Sequence, residues 1–185
     1  MTRDAHLHLV AETDVTDVAD ASAAGSLDID ELFRDLAPYV AAVGLRLLGR
    51  RDEVEDLVQD VFLAAHRARR KLRVRHEARR WLTVVAVRYA RRRLRFRALR
   101  GWLRFDDHEP ENLVTPGATP EDNAFLAQVY ALLDRQSIEE RLAWTLRYVQ
   151  GEKLAVVAEL MGCSLATAKR RIASAQEAIA RELAE

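Results

Sequence analysis

The chain has a single cysteine, Cys163, so no internal disulfide can form and a reducing cytoplasm is its natural compartment. Proline and glycine are scarce, at four and seven of 185 residues, and β-branched clusters are short, which argues against a sheet protein built on frequent turns. No apolar run approaches the roughly 20 residues that span a bilayer, so membrane insertion is not expected. A secretory signal is not expected either, because Arg3 is followed at once by Asp4 with no apolar stretch behind it. Net charge is missing too: 29 basic residues face 29 acidic ones. What remains is rich in Ala, Leu, Arg and Glu, which predicts an all-α protein.

Neutrality conceals segregation. Between Arg67 and Arg104 stand sixteen Arg or Lys residues and one acid, Glu77, with Trp81, Tyr89, Phe96 and Trp102 interleaved. Such a stretch repels itself unless a polyanion is near, and aromatics among arginines stack on unpaired bases. The density favours nucleic acid over a solvated basic face or a membrane-surface helix. Residues 1–30 hold Arg3 against seven acids and show little apolar period, so a disordered acidic tail is expected over 1–26. Residues 105–123 hold six acids, no Lys or Arg and three prolines, the composition of an extended linker. The pattern is therefore two small helical domains, 27–104 and 124–185, on an acidic flexible tether.

In the first domain Leu32, Phe33, Leu36, Val40, Val43, Leu47 and Leu48 recur at helical spacing. Pro38 is expected to break that segment and begin a second helix, which Gly49 ends. Asp52 is a candidate N-cap for the next helix, running to about Arg70. There Val54, Leu57, Val58, Val61, Phe62 and Ala65 make an apolar stripe, while Asp52, Glu55, Asp56, Gln59 and Asp60 make another on the far side. An acidic first half and a basic last turn suit the helix macrodipole; they equally suit a docking face for a basic protein. After a basic connection through Arg73, Arg75 and His76, a helix is expected from about Ala78 to Arg100. Trp81 to Val87 reads as core, and Arg88, Arg91, Arg92 and Arg95 share one face, suited to a phosphate backbone or to guanine edges.

In the second domain two helices, 121–133 and 138–149, bury Phe125, Leu126, Val129, Leu132, Leu133, Leu142, Leu146 and Val149. The segment Lys153 to Met161, the turn Gly162-Cys163-Ser164 and the segment Leu165 to Ile172 form a helix-turn-helix pattern. Ala158 permits close approach, Gly162 makes the turn, and Ser164 caps the second helix. Ala168, Ile172 and Ala175 face inward; Thr167, Lys169, Arg170, Arg171 and Ser174 are left for DNA.

Taken in this order, the segments resemble a bacterial sigma factor of the extracytoplasmic-function (group 4) type, the smallest members of the sigma-70 family. Asp56 to Arg67 resembles region 2.2, Trp81-Leu82 through the arginine helix resembles regions 2.3 and 2.4, and Arg141 to Val149 with Gly162 to Ile172 resembles region 4. The resemblance implies that Asp56, Gln59 and Asp60 contact core RNA polymerase. It places Arg73, Arg75 and His76 near a flipped base of the −10 element, with Arg88, Arg91, Arg92 and Arg95 along that element's duplex. It places Lys169, Arg170 and Ser174 at −35 bases and Arg171 on phosphate, with Ser164 and Thr167 at the start of the same helix. Its implied partners are core polymerase, promoter DNA (duplex and melted −10 strand) and an anti-sigma factor; it implies no cofactor and no catalytic step.

Two rivals account for less. A stand-alone helix-turn-helix regulator explains residues 124–185 but not the acidic stripe at Asp56–Asp60. An enzyme would need the His6-Leu-His8 pair as metal ligands, yet it sits in an unpatterned tail, and His66, His76 and His108 fall on unrelated segments.

Overall fold

Three helices whose apolar stripes cannot be buried singly make the first half of the molecule. The computed structural model describes residues 28–69, 75–102 and 119–184; the expected acidic tail, Arg73 and the linker up to residue 118 lie outside the described residues. The described residues form helices and turns, with no strand among them. Helix α1 (Ile29–Leu48) is capped by the Asp28 carboxylate, which accepts from the Asp30 N–H, and ends at Gly49 in the left-handed region at φ 70°.

Pro38 lies inside α1 and does not divide it, which corrects the expected break. A mid-helix proline costs about 3 kcal/mol in isolation. Here Leu32 on one side of it and Val40, Val43 and Leu47 on the other are buried in one core, while Pro38 itself is exposed. Packing on both sides outweighs the lost hydrogen bond.

Helix α2 (Val54–Arg67) crosses α1 at Gly44, where an added Cβ would stand 2.9 Å from Leu57 Cδ2. Its expected N-cap, Asp52, is displaced by Glu53, which makes no capping bond. The Glu53 carboxylate is taken instead by Arg97, with N–O distances of 2.8 and 3.0 Å. Helix α3 (Arg75–Trp102) starts a turn earlier than expected. Arg75 and His76 are therefore helical rather than part of a connection. Fully buried Ala78 fastens the first turn to the core, and Glu77 complements the helix dipole there.

The second half comprises α4 (Pro120–Asp134), α5 (Ile138–Trp144), a π-helical turn (Thr145–Val149), α6 (Leu154–Met161) and α7 (Leu165–Leu183). Thr119 with Asp122 and Ser137 with Glu140 form reciprocal capping boxes at the starts of α4 and α5. Helix α4 thus begins within the stretch that composition assigned to the linker. Phe125, expected inside, is exposed, whereas Val129, Leu132 and Leu133 further along the helix are buried.

The two halves pack on each other. Residues of α1, α2 and α3 share one apolar cluster with Leu142, Leu146, Val157, Met161 and Ile172 of the second half. Polar bonds seal the contact around the C-terminus of α1. Tyr130 Oη donates to Arg46 O at 2.6 Å, and Arg141 donates to Leu48 O at 2.7 Å and to Asp134. Arg97 reaches the same Leu48 carbonyl at 3.2 Å. These donors satisfy carbonyls that a helix end leaves without partners.

Candidate nucleic-acid interface

The helix-turn-helix forms as its punctuation demands. Gly162 ends α6 at φ 62°, Ser164 accepts from the Thr167 N–H at 3.2 Å, and α7 follows. The Ser164 and Thr167 hydroxyls also bond each other at 2.9 Å, so both work first at the helix start. Ala168, Ile172, Ala175 and Ile179 are buried along one side of α7. That leaves Lys169, Arg170 and Ser174 exposed on the other. Hydrogen bonds from the Ser137 and Ser174 hydroxyls hold the Glu140 carboxyl below the usual carboxylate range. Ser174 therefore faces Glu140 as well as solvent. Arg171 is half-buried and pairs with Glu139 at 3.2 Å.

On α3 the expected row of arginines is not one free face. Arg88, Arg92 and Arg95 are exposed. Arg91 is turned into the second half, where its Nε lies 2.9 Å from Glu139 Oε1 and its Nη2 reaches Met161 O at 3.3 Å. The reason is spacing: Arg91 lies beside Ala90 and Leu94, which are buried, so its stem follows the packed side of the helix.

The acidic stripe of α2 is not turned wholly outward either. Arg93 pairs with Asp60 at 2.8 Å and Asp56 at 3.4 Å, and Arg97 pairs with Glu53. Acids at 53, 56 and 60 meet arginines at 97 and 93 in antiparallel register. Asp56 and Asp60 nevertheless keep 67% and 41% of their side-chain surface accessible, and Glu55 and Gln59 are exposed.

Sequence reasoning missed Arg93 and Arg97, and a signal was available. They continue the buried row Leu82, Ala86, Ala90 at steps of three and four, so they had to face α1 and α2. It also missed Arg141, a residue only 2% exposed; burial first, then the neighbouring Arg97 charge, lowers its pKa to about 10. A groove of about 930 Å³ runs between the acids of α2 and the C-terminal half of α3, lined by Asp56, Asp60, Arg92, Arg95 and Phe96 among others. Among the described residues no group of three or more His, Cys, Asp or Glu side chains could hold a metal ion, and no helix is long and apolar enough to cross a membrane.

Residues 32–100 match the Sigma-70 region 2 family model. No curated protein sequence matches the chain. Among solved structures, the sigma factor RpoE from Bartonella quintana, in complex with the anti-sigma factor NepR, is similar at a TM-score of 0.62 and 21% identity, over 84% of this chain and 96% of that one. CnrH, in complex with the cytosolic domain of CnrY, is similar at a TM-score of 0.57 and 22% identity, over 84% of this chain and 86% of that one. Residues 32–100 thus match Sigma-70 region 2, and the described helices together share the fold of RpoE and CnrH, in keeping with the resemblance to extracytoplasmic-function sigma factors read from the sequence.

Proposed function

We propose that the chain is a sigma factor that docks on bacterial core RNA polymerase, recognises −10 and −35 promoter elements and promotes strand opening. The observation that carries this reading is a conjunction in one chain. A Sigma-70 region 2 segment bears accessible carboxylates on α2, and a separate helix-turn-helix exposes Lys169 and Arg170. A stand-alone regulator needs only the second of these.

Asp56, Gln59 and Asp60 form the polymerase contact. Arg88, Arg92 and Arg95, with Arg91 once it is released, follow the −10 duplex, and Arg73, Arg75 and His76 hold an extruded base. Lys169, Arg170 and Ser174 meet the −35 element, with Arg171 on phosphate. Phosphate contacts supply most of the affinity, so DNA binding falls steeply with salt; base contacts supply selection. The mechanism has no chemical step: binding energy for unpaired bases is coupled to strand separation. An anti-sigma partner belongs to the reading because RpoE, of the same fold, was solved with one.

The test is a pull-down of purified core polymerase by the wild type and by Asp56→Lys/Asp60→Lys. Wild-type capture that the double variant loses, with helical content unchanged, is the expected result. No capture by the wild type would return the chain to the stand-alone regulator.

A further inference from the structure

Glu139 is the meeting point of the two DNA-facing helices. It stands in the first turn of α5, and its two carboxylate oxygens serve three guanidiniums. Oε1 lies 2.9 Å from Arg91 and 3.5 Å from Arg95, both on α3; Oε2 lies 3.2 Å from Arg171 on α7. Glu139 and Arg171 keep about a quarter of their side-chain surface exposed and Arg91 less, so these pairs are shielded from water more than ordinary surface pairs. A second fastening lies nearer the N-terminus of α3, where Arg80 pairs with Glu159 of α6. A third is the bond from Arg91 to Met161 O, at the carbonyl end of α6, where a cation also complements the helix dipole.

We propose that Glu139 is an intramolecular clasp that keeps the protein in a closed, DNA-silent form by occupying arginines of both DNA-facing helices. The proposal rests on the function given above, in which Arg91 and Arg95 follow the −10 duplex and Arg171 a −35 phosphate. A carboxylate among guanidinium forks presents the same oxygen acceptors as a backbone phosphate. Promoter DNA and Glu139 therefore compete for the same three side chains. The packing sharpens the competition: α3 shares a core with α5 and α6, so a duplex cannot lie along this side of α3 until those helices leave it.

The clasp is also displaceable. One carboxylate cannot neutralise three guanidiniums, so the cluster retains positive charge that attracts a polyanion. Ligands that bind only the open form, DNA on α3 or polymerase holding the first half apart from the second, shift the population toward it. The closed form thus limits promiscuous DNA binding by the free protein without preventing use on polymerase.

The experiment compares full-length wild type with Glu139→Gln and with Glu152→Gln, which makes the same charge change away from the cluster. The capping box at the start of α5 uses Ser137 and Glu140, so Glu139→Gln leaves it intact; circular dichroism melts verify that the variant folds. Two readouts are taken without polymerase: the radius of gyration by small-angle X-ray scattering, and affinity for a fluorescent promoter-length duplex by anisotropy. The expected result is a larger radius and an affinity gain of roughly 5-fold or more, the low end of ordinary coupling between sites, both exceeding any change in Glu152→Gln. If either readout matches the control, the clasp is overturned. The polymerase pull-down is scored separately. Capture of polymerase with no difference between variants sinks the clasp and leaves the sigma reading standing; an expanded, tighter-binding Glu139→Gln that captures no polymerase does the reverse.

Discussion

Helices α3 and α7 both carry arginine clusters, and they present them in different ways. On α7 the apolar residues occupy one side, Lys169 and Arg170 are exposed, and among the described residues only Arg171 of the three is drawn into an ion pair. On α3 Arg91, Arg93 and Arg97 are each partly buried against a carboxylate, on Glu139, on Asp56 and Asp60, and on Glu53. The cause is how many sides of each helix are packed. The C-terminal half of α3 lies between α2 on one side and α5 and α6 on the other, so a long side chain leaving it meets a neighbour in most directions. The number of arginines on a helix therefore overstates the positive charge it exposes, and the packing around it sets the fraction left for a polyanion.

The contrast is broken most strongly at Arg141, which fastens the second half to the end of α1. Arg141→Ala removes a buried guanidinium and leaves the Leu48 carbonyl and the half-exposed Asp134 to Arg97 alone, and the expected loss is about 3 kcal/mol of stability. Thermal and urea melts measure it, with Arg170→Ala as the comparison. Arg170 is exposed, so its removal should change stability by no more than about 0.5 kcal/mol. Equal losses in the two variants would show that the contact between the halves contributes little.

Gly49→Ala attacks the same contact through the backbone. The residue sits at φ 70°, and a Cβ there would stand 2.4 Å from the Tyr130 ring. A non-glycine residue in that region costs about 1–3 kcal/mol before any clash is counted, so the melt should shift at least that far.

On the DNA side the contrast is sharpened by Arg170→Ala against Arg93→Ala. A good bidentate base contact discriminates by about 1–3 kcal/mol. Arg170→Ala should therefore relax the preference for a −35 sequence more than it weakens binding to random duplex. A uniform loss would place Arg170 on the backbone. Arg93→Ala should leave sequence preference unchanged and cost roughly 1 kcal/mol of stability, because its pairs with Asp56 and Asp60 lie near the surface.

The smallest expected effect is in pH. Burial pushes the Tyr130 phenol up from 10.0 to about 12, against the lowering influence of Arg141 and Arg46. The folded protein thus holds this proton where the unfolded chain has lost it. Its stabilising contribution is complete below pH 10 and disappears as pH rises through about 12. Arg141 works in the opposite sense above about pH 10, where the unfolded chain binds the extra proton. Tyr130→Phe removes the hydrogen bond to Arg46 O, costs about 1 kcal/mol at neutral pH, and should abolish the part of the tyrosinate absorbance that appears only near pH 12.

The helix-turn-helix was the most legible part of the sequence, because each of its signals acts within a few residues. Gly162 takes a left-handed conformation, Ser164 caps α7, and Ala168 and Ile172 fall on one side by periodicity alone. The apolar stripe of α2 was legible for the same reason. Pro38 was misread because a local rule was opposed by burial on both sides of it. Phe125 was misread because periodicity marks an apolar face without saying whether a neighbour covers all of it. The acidic stripe of α2 left two explanations open, dipole and docking, and the structure adds a third role, since its acids also face Arg93 and Arg97. Arg75 and His76 were expected in a connection because charge density obscured the buried Ala78 beside them.

By itself, then, the sequence determined an all-helical chain, the segregation of its charge, and the order of segments that resembles a sigma factor. Periodicity, capping and composition express interactions between residues close along the chain, so they survive in one dimension. The tertiary structure alone decided which carboxylate each arginine meets. An ion pair needs its partners within about 4 Å; Glu139 is 48 residues from Arg91 and 32 from Arg171, and only the packing of α3, α5 and α7 on a shared core brings the three together.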